Sequence, residues 1–232
     1  MTSRAPRVYF SFRSPFSWMA VRRLCEAVPD AMTRLEFRPY WDPDPQTEAA
    51  LTERGAEFHY VQMSRAKHRY ILLDTKRLAA RAGLRMVWPI DVDPWWELPH
   101  LAWLKARRLG RAEQFYAAAT DARWEHGRDI CEPVTLREVA RAAGLDGDEL
   151  AGAVHDPAIR AEGVDCLVAA YHDDVFGIPY CIAGRDRFWG LDRLDDFVAA
   201  LHAHPSPEPE RDAGRPAPAG AAYDTDTAGG CG

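Results

Sequence analysis

The sequence changes pattern twice, and those changes limit the fold more than any other feature. Short β-rich segments at the two ends enclose a long run of helical periodicity. Residues Arg7, Val8, Tyr9, Phe10, Ser11 and Phe12 are β-branched, aromatic and short, which fits a buried strand ending where Ser14-Pro15 begins. Pro15 suits the first turn of a helix. Trp18, Val21, Leu24, Cys25 and Val28 then recur at the three-and-four spacing of one packed face, predicting a helix over 17–27 that Pro29 and Asp30 stop. Residues 35–40 alternate as a second strand before the turn-rich Asp42-Pro43-Asp44-Pro45.

Residues 48–171 read as helices, with apolar spacing over 58–82, 97–109, 112–124, 136–143 and 157–171, punctuated by Gly83, Gly110, Gly127 and Gly144. Residues 145–148 look like a turn and an N-cap before another short helix. The chain then returns to a hairpin, 178–183 and 187–190 about a turn at 184–186, and closes with a helix over 192–202. A β-α-β unit, a helical insertion and a β-β-α unit make the plan of an α/β, thioredoxin-like fold with an inserted all-helical domain. The expected boundaries are 7–45 and 172–204 for the two thioredoxin-like halves and 46–171 for the insertion, with the site between the two domains. Residues 205–232 mix Pro, Gly, Asp, Glu and Ala with almost no bulky apolar side chain, so a disordered tail carrying an exposed Cys231 is expected.

Composition narrows the function classes. The formal charge is −6, so no basic field draws nucleic acid or an anionic membrane. No stretch approaches the roughly 18 to 20 apolar residues of a membrane helix, and the first seven residues are too short and polar for a signal peptide, so a cytoplasmic location is expected. The five cysteines, Cys25, Cys131, Cys166, Cys181 and Cys231, are widely spaced without C-x-x-C, which argues against a disulfide framework or a metal site.

Three local sequences carry the chemistry: Phe12-Arg13-Ser14-Pro15-Phe16-Ser17-Trp18, Val175-Phe176-Gly177-Ile178-Pro179, and Phe188-Trp189-Gly190-Leu191-Asp192-Arg193. In this order and spacing the chain resembles the 2-hydroxychromene-2-carboxylate isomerases and the kappa-class glutathione transferases, of the DsbA-like group in the thioredoxin superfamily. The likeness spans about residues 7–202 and includes Tyr70 to Asp74, Arg77 to Ala79, Gly83 and Pro89. Where DsbA-type oxidoreductases carry C-x-x-C, this chain has Ser14-Pro15-Phe16-Ser17. Hydroxyls cannot exchange disulfides, so dithiol chemistry there is excluded. A serine ahead of a helix keeps the electrostatics that hold an anion.

The resemblance implies glutathione, or another low-molecular-weight thiol, as cofactor. Its sulfur would lie at Ser14, its cysteinyl backbone along Ile178 and a cis Pro179, and its γ-glutamyl end at Asp192 and Arg193. It further implies a small-molecule substrate and a homodimer. Leu191 stands where the family usually has Ser or Asn, and the Trp95 to His100 stretch departs from the family's usual Asn. Arg13, Phe16, Trp95, Trp96 and His100 are the expected substrate-pocket residues. The expected reaction is isomerisation by reversible thiolate addition to an activated double bond of an aromatic or polyketide-like substrate. A kappa-like transferase releasing stable conjugates, and a binding or scaffold protein without thiol chemistry, are the alternatives. In simpler readings Ser14 is an ordinary N-cap, Pro179 a device that shapes the hairpin, and Asp192 and Arg193 first-turn charges.

Overall fold

The computed structural model describes residues 5–59 and 63–203; the tail expected at 205–232, with Cys231, lies outside the described residues. Four short strands form one sheet in the order β2-β1-β3-β4: β1 (Arg7–Phe10), β2 (Glu36–Pro39), β3 (Tyr180–Ala183) and β4 (Asp186–Trp189). β1 runs parallel to β2 and antiparallel to β3, with Val8 opposite both Phe37 and Cys181. This is the β-α-β and β-β-α arrangement the pattern predicts. Every residue of β1 is buried, as befits a central strand flanked on both edges.

Helix α1 (Pro15–Ala27) follows β1, with Pro15 at its start and Ser14 as N-cap. A short α2 (Ala31–Arg34) precedes β2, entered through Asp30 in a left-handed conformation. The helices between β2 and β3 are α3 (Pro45–Glu53), α4 (Arg65–Arg81), α5 (Glu97–Arg108), α6 (Ala112–Thr120), α7 (Pro133–Ala142), α8 (Gly147–Ala151) and α9 (Pro157–His172), and α10 (Leu194–Ala203) ends the described fold. Several boundaries differ from the periodicity: the helix expected over 58–82 begins at Arg65, and the one expected from 192 begins at Leu194. The turn-rich 42–45 segment launches α3, because the Asp44 carboxylate accepts from the Thr47 N–H at 2.8 Å and Pro45 tolerates the first helical position. The segment expected as one helix over 112–124 changes to a wider π turn over Asp121–Glu125, which buries both Arg123 and Trp124.

One continuous apolar core joins the sheet to the helices between β2 and β3. Phe10 on β1 meets Trp103 of α5 at 4.9 Å and Tyr116 of α6 at 5.3 Å, both edge to face. Where α9 crosses α5, Gly163 permits a close approach: a Cβ there would lie 2.6 Å from Leu101 Cδ2 and 3.2 Å from the Trp41 ring. Gly to Ala normally strengthens a helix by roughly 1 kcal/mol. At this site overpacking reverses the sign, so Gly163→Ala is expected to lower stability by about 1–3 kcal/mol, read from the urea midpoint.

Candidate active site

The site begins in the turn that links β1 to α1. None of its amides can join a sheet ladder or a helix, yet each finds an acceptor. Ser11 N–H donates to Ser17 Oγ at 3.3 Å, Phe12 N–H to His100 Nε2 at 3.1 Å, Arg13 N–H to Ser11 Oγ at 3.2 Å, and Ser14 N–H to the Ser11 carbonyl at 3.2 Å. Ser14 Oγ accepts from Ser17 N–H at 3.2 Å, and the Ser14 carbonyl accepts from Trp18 N–H. Pro15 has no N–H. Among the described residues, the Phe16 N–H is therefore the one amide of this first turn without an acceptor. The Ser14 hydroxyl, already accepting, keeps its proton free to donate. Two donors thus stand half-exposed at the positive end of α1, the arrangement that holds an anion.

The second segment lies beside the first. Tyr9 pairs with Tyr180, so the Ile178–Pro179 bond, which is cis, sits alongside the end of β1 from which the Ser14 turn departs. The Ile178 backbone makes no hydrogen bond with any described residue, leaving an edge that an extended ligand can pair with. Gly190 N–H donates to the Pro179 carbonyl at 2.9 Å and ties the third segment to the second. A 3₁₀ turn over Leu191–Arg193 follows. It exposes the side chains of Asp192 and Arg193, neither of which makes a side-chain hydrogen bond or ion pair with a described residue. Leu191 explains its own presence: its half-buried side chain packs with the Trp18 and Met19 cluster of α1, fastening the turn by apolar contact. Gly177 is required because a Cβ would meet Trp189 Nε1 at 2.7 Å.

The five expected pocket residues divide. Phe16 is half-buried at the head of α1 and packs against an aromatic wall in which Trp18 stacks on Trp124 at 6.2 Å and Trp88 meets Trp124 edge-on at 5.5 Å. Arg13 is exposed and ion-paired with Asp42. Trp95 and Trp96 line a cleft of about 300 Å³ with Asp42, Asp44, Asp93 and Glu97. Trp95 lies open and donates to Asp44 at 3.2 Å, whereas Trp96 is largely buried, with the Arg123 guanidinium 4.8 Å from its ring. His100 corrects the expectation: it is fully buried, so no substrate reaches it. Its Nδ1–H donates to the Trp96 carbonyl at 2.7 Å and its ring stacks on Trp41.

Two buried arrangements escape sequence reasoning because both join residues remote in the chain. Arg123 is fixed by two bonds to Asp91, at 2.8 and 2.7 Å, between the rings of Trp96 and Trp124. Arg7 and the Tyr9 hydroxyl both donate to Asp173, at 2.5–2.6 Å, just before the segment that carries Pro179.

Burial pushes the Cys181 thiol up to about 12 and Cys25 and Cys166 to about 11, so none of them supplies a thiolate at neutral pH. No three His, Cys, Asp or Glu side chains among the described residues are grouped to hold a metal ion. Burial also drives His100 down to about 3. For Asp44, burial opposes the charge, but hydrogen bonds from Arg160, the Thr47 N–H and Trp95 prevail and hold the carboxyl at about 2. Both folded-state values lie below the unfolded ones, so unfolding takes up protons and stability falls with pH. The His100 contribution is lost between about pH 6.5 and 3, and that of Asp44 below about pH 4. The urea midpoint is expected to drop steadily from pH 7 to pH 4, and His100→Gln to flatten the upper part of that slope.

Residues 7–202 match the profile of the DSBA-like thioredoxin domain. The chain belongs to the DsbA-like thioredoxin family. Within the family it is similar to 2-hydroxychromene-2-carboxylate isomerase of Sphingobium xenophagum, with 32% identity over 189 residues, 81% of this chain and 92% of that protein. A solved 2-hydroxychromene-2-carboxylate isomerase shares the fold at a TM-score of 0.64 and 23% identity, over 85% of this chain and 94% of that one. The cytosolic disulfide reductase DsbM from Pseudomonas aeruginosa, solved with GSH, aligns with a TM-score of 0.54 and 21% identity, over 85% of this chain and 97% of that one. At these identities the two structures speak for the fold alone. No helix among the described residues is long and apolar enough to cross a membrane.

Proposed function

We propose that this DsbA-like protein is an isomerase that borrows the thiol of a low-molecular-weight cofactor such as glutathione. The observation that carries the reading is the donor pair at the head of α1, the Ser14 hydroxyl and the unaccepted Phe16 N–H, in a family site that has serines in place of cysteines. Those donors suit a thiolate sulfur. Burial holds the four described cysteines of the chain as thiols, so none of them offers a thiolate nucleophile of its own. Likeness to an isomerase over 92% of its length supports the reaction class.

A bound thiol supplies a nucleophile that adds reversibly to an activated double bond, permits rotation about the resulting single bond, and leaves. The residues of this chain hold it in place. Ser14 O–H and Phe16 N–H lower the energy of the thiolate before attack and on departure. The open Ile178 backbone pairs with the extended peptide of the cofactor. Asp192 and Arg193 receive the ammonium and carboxylate of the γ-glutamyl end. The half-buried rings of Phe16 and Trp88, backed by the buried Trp18 and Trp124, suit a planar, conjugated substrate.

The test is calorimetric titration with reduced glutathione. Saturable binding, weakened about tenfold or more in Asp192→Ala, is expected, since removing one charged partner costs roughly 1.5–3 kcal/mol. Binding unaffected by Asp192→Ala removes the γ-glutamyl assignment. With an enone substrate, product isomer and recovered thiol separate isomerisation from conjugation, which leaves a stable thioether.

A further inference from the structure

We propose that His100, from the helical segment between the two halves of the sheet, is a positioning residue that holds the Ser11–Ser14 turn so that the two anion donors point to one spot; this rests on the function proposed above. The Nδ1–H···O bond to Trp96, 2.7 Å long, fixes the tautomer and leaves Nε2 bare. That nitrogen faces two donors, Phe12 N–H at 3.1 Å and Ser11 Oγ–H at 3.3 Å. Ser11 Oγ then accepts from Arg13 N–H, and the Ser11 carbonyl from Ser14 N–H. Every amide of the turn is thereby accounted for, and His100 is the group from outside the turn and α1 that accepts from it.

The surroundings fix the ring itself. Trp41 stacks on it at 5.2 Å and 12°, Phe12 lies 5.2 Å away, and Trp96 lies 6.1 Å away. The charged neighbour across the packing, Arg123, is cationic, and burial acts in the same direction, so the imidazole stays neutral through the working pH range. Were it charged, Nε2 would carry a proton aimed at two other donors. The residue therefore makes its contribution as an acceptor, without touching substrate.

The experiment uses the full chain, with long-range proton–nitrogen NMR of the wild type and hydrogen exchange and thiol titration of His100→Leu and His100→Gln. In the wild type, Nδ1-protonated, Nε2-bare imidazole is expected to persist below pH 5. His100→Leu removes the acceptor. Amide protection over residues 11–14 should then fall, and bound glutathione should carry about tenfold less thiolate at neutral pH, with KM little changed and kcat lowered. His100→Gln, whose amide oxygen can accept from Phe12, should restore part of both. An Nε2-protonated tautomer, or unchanged exchange and thiolate fraction in His100→Leu, overturns the inference. If the wild type binds no thiol, the proposed function fails while tautomer and exchange still decide whether His100 holds the turn. If His100→Leu does not fold, the wild-type tautomer and the glutamine variant decide it.

Discussion

Replacing Ser14 by alanine is expected to lower kcat by about a hundredfold or more while costing roughly 1 kcal/mol of stability. The two numbers come from separate jobs of one hydroxyl. Its oxygen caps α1 by accepting from Ser17 N–H at 3.2 Å, and loss of such a cap is a modest, exposed-site effect. In the proposed function its proton is the donor that faces the bound sulfur, and removing one preorganised donor from a developing or departing anion costs about 2.7–4 kcal/mol in the barrier. The Phe16 N–H remains in the variant, so activity falls without disappearing. Turnover with glutathione and an enone, measured beside a urea titration, reads both. A variant that loses stability but keeps its turnover would assign Ser14 to the cap alone.

The second large effect is on folding. Asp173→Ala is expected to destabilise the protein by about 3–5 kcal/mol, because it strands the Arg7 guanidinium and the Tyr9 hydroxyl, both buried, without an acceptor. The side chains of the pair are less than a tenth exposed, so solvent cannot replace the missing carboxylate. Replacing Arg7 and Asp173 together with apolar side chains of similar volume should recover part of the loss, since the pair repays its own desolvation poorly while the Tyr9 hydroxyl still lacks its acceptor. The urea midpoints of the single and double variants check this. The link to function is positional. Asp173 ends α9 immediately ahead of the segment leading to Pro179, and Arg7 and Tyr9 lie on β1, so the triad anchors that segment to the strand that launches the Ser14 turn.

What the sequence made legible follows from the range of the forces involved. The order of strands and helices was readable because short β-branched runs and three-and-four spacing are local signals, and the cis Ile178–Pro179 bond because it sits in a contiguous motif; the helix expected from Asp192 begins instead at Leu194, after a 3₁₀ turn over Leu191–Arg193. Helix α3 was hidden by its own start signal: Asp44-Pro45 reads equally as a turn and as an N-cap followed by a first-turn proline, and only the Thr47 N–H bond decides. His100 was misread as a pocket residue because its partners, Ser11 and Phe12, stand far away in the chain. The same separation hid the Arg123–Asp91 clamp and the Arg7–Asp173 pair. Leu191 looked like a missing hydrogen bond in the sequence. In the fold its side chain packs against the Trp18–Met19 cluster, a contact that could not be read from the residues on either side of it.

The proposed function requires that this protein hold a borrowed thiol as thiolate at the head of α1. Its most direct test is the ultraviolet thiolate absorbance of glutathione bound to the wild-type protein, followed across pH beside glutathione free in solution. Bound glutathione is expected to ionise at a clearly lower pH than free glutathione, with the difference lost in Ser14→Ala. Bound glutathione that ionises at the same pH as the free thiol would contradict it.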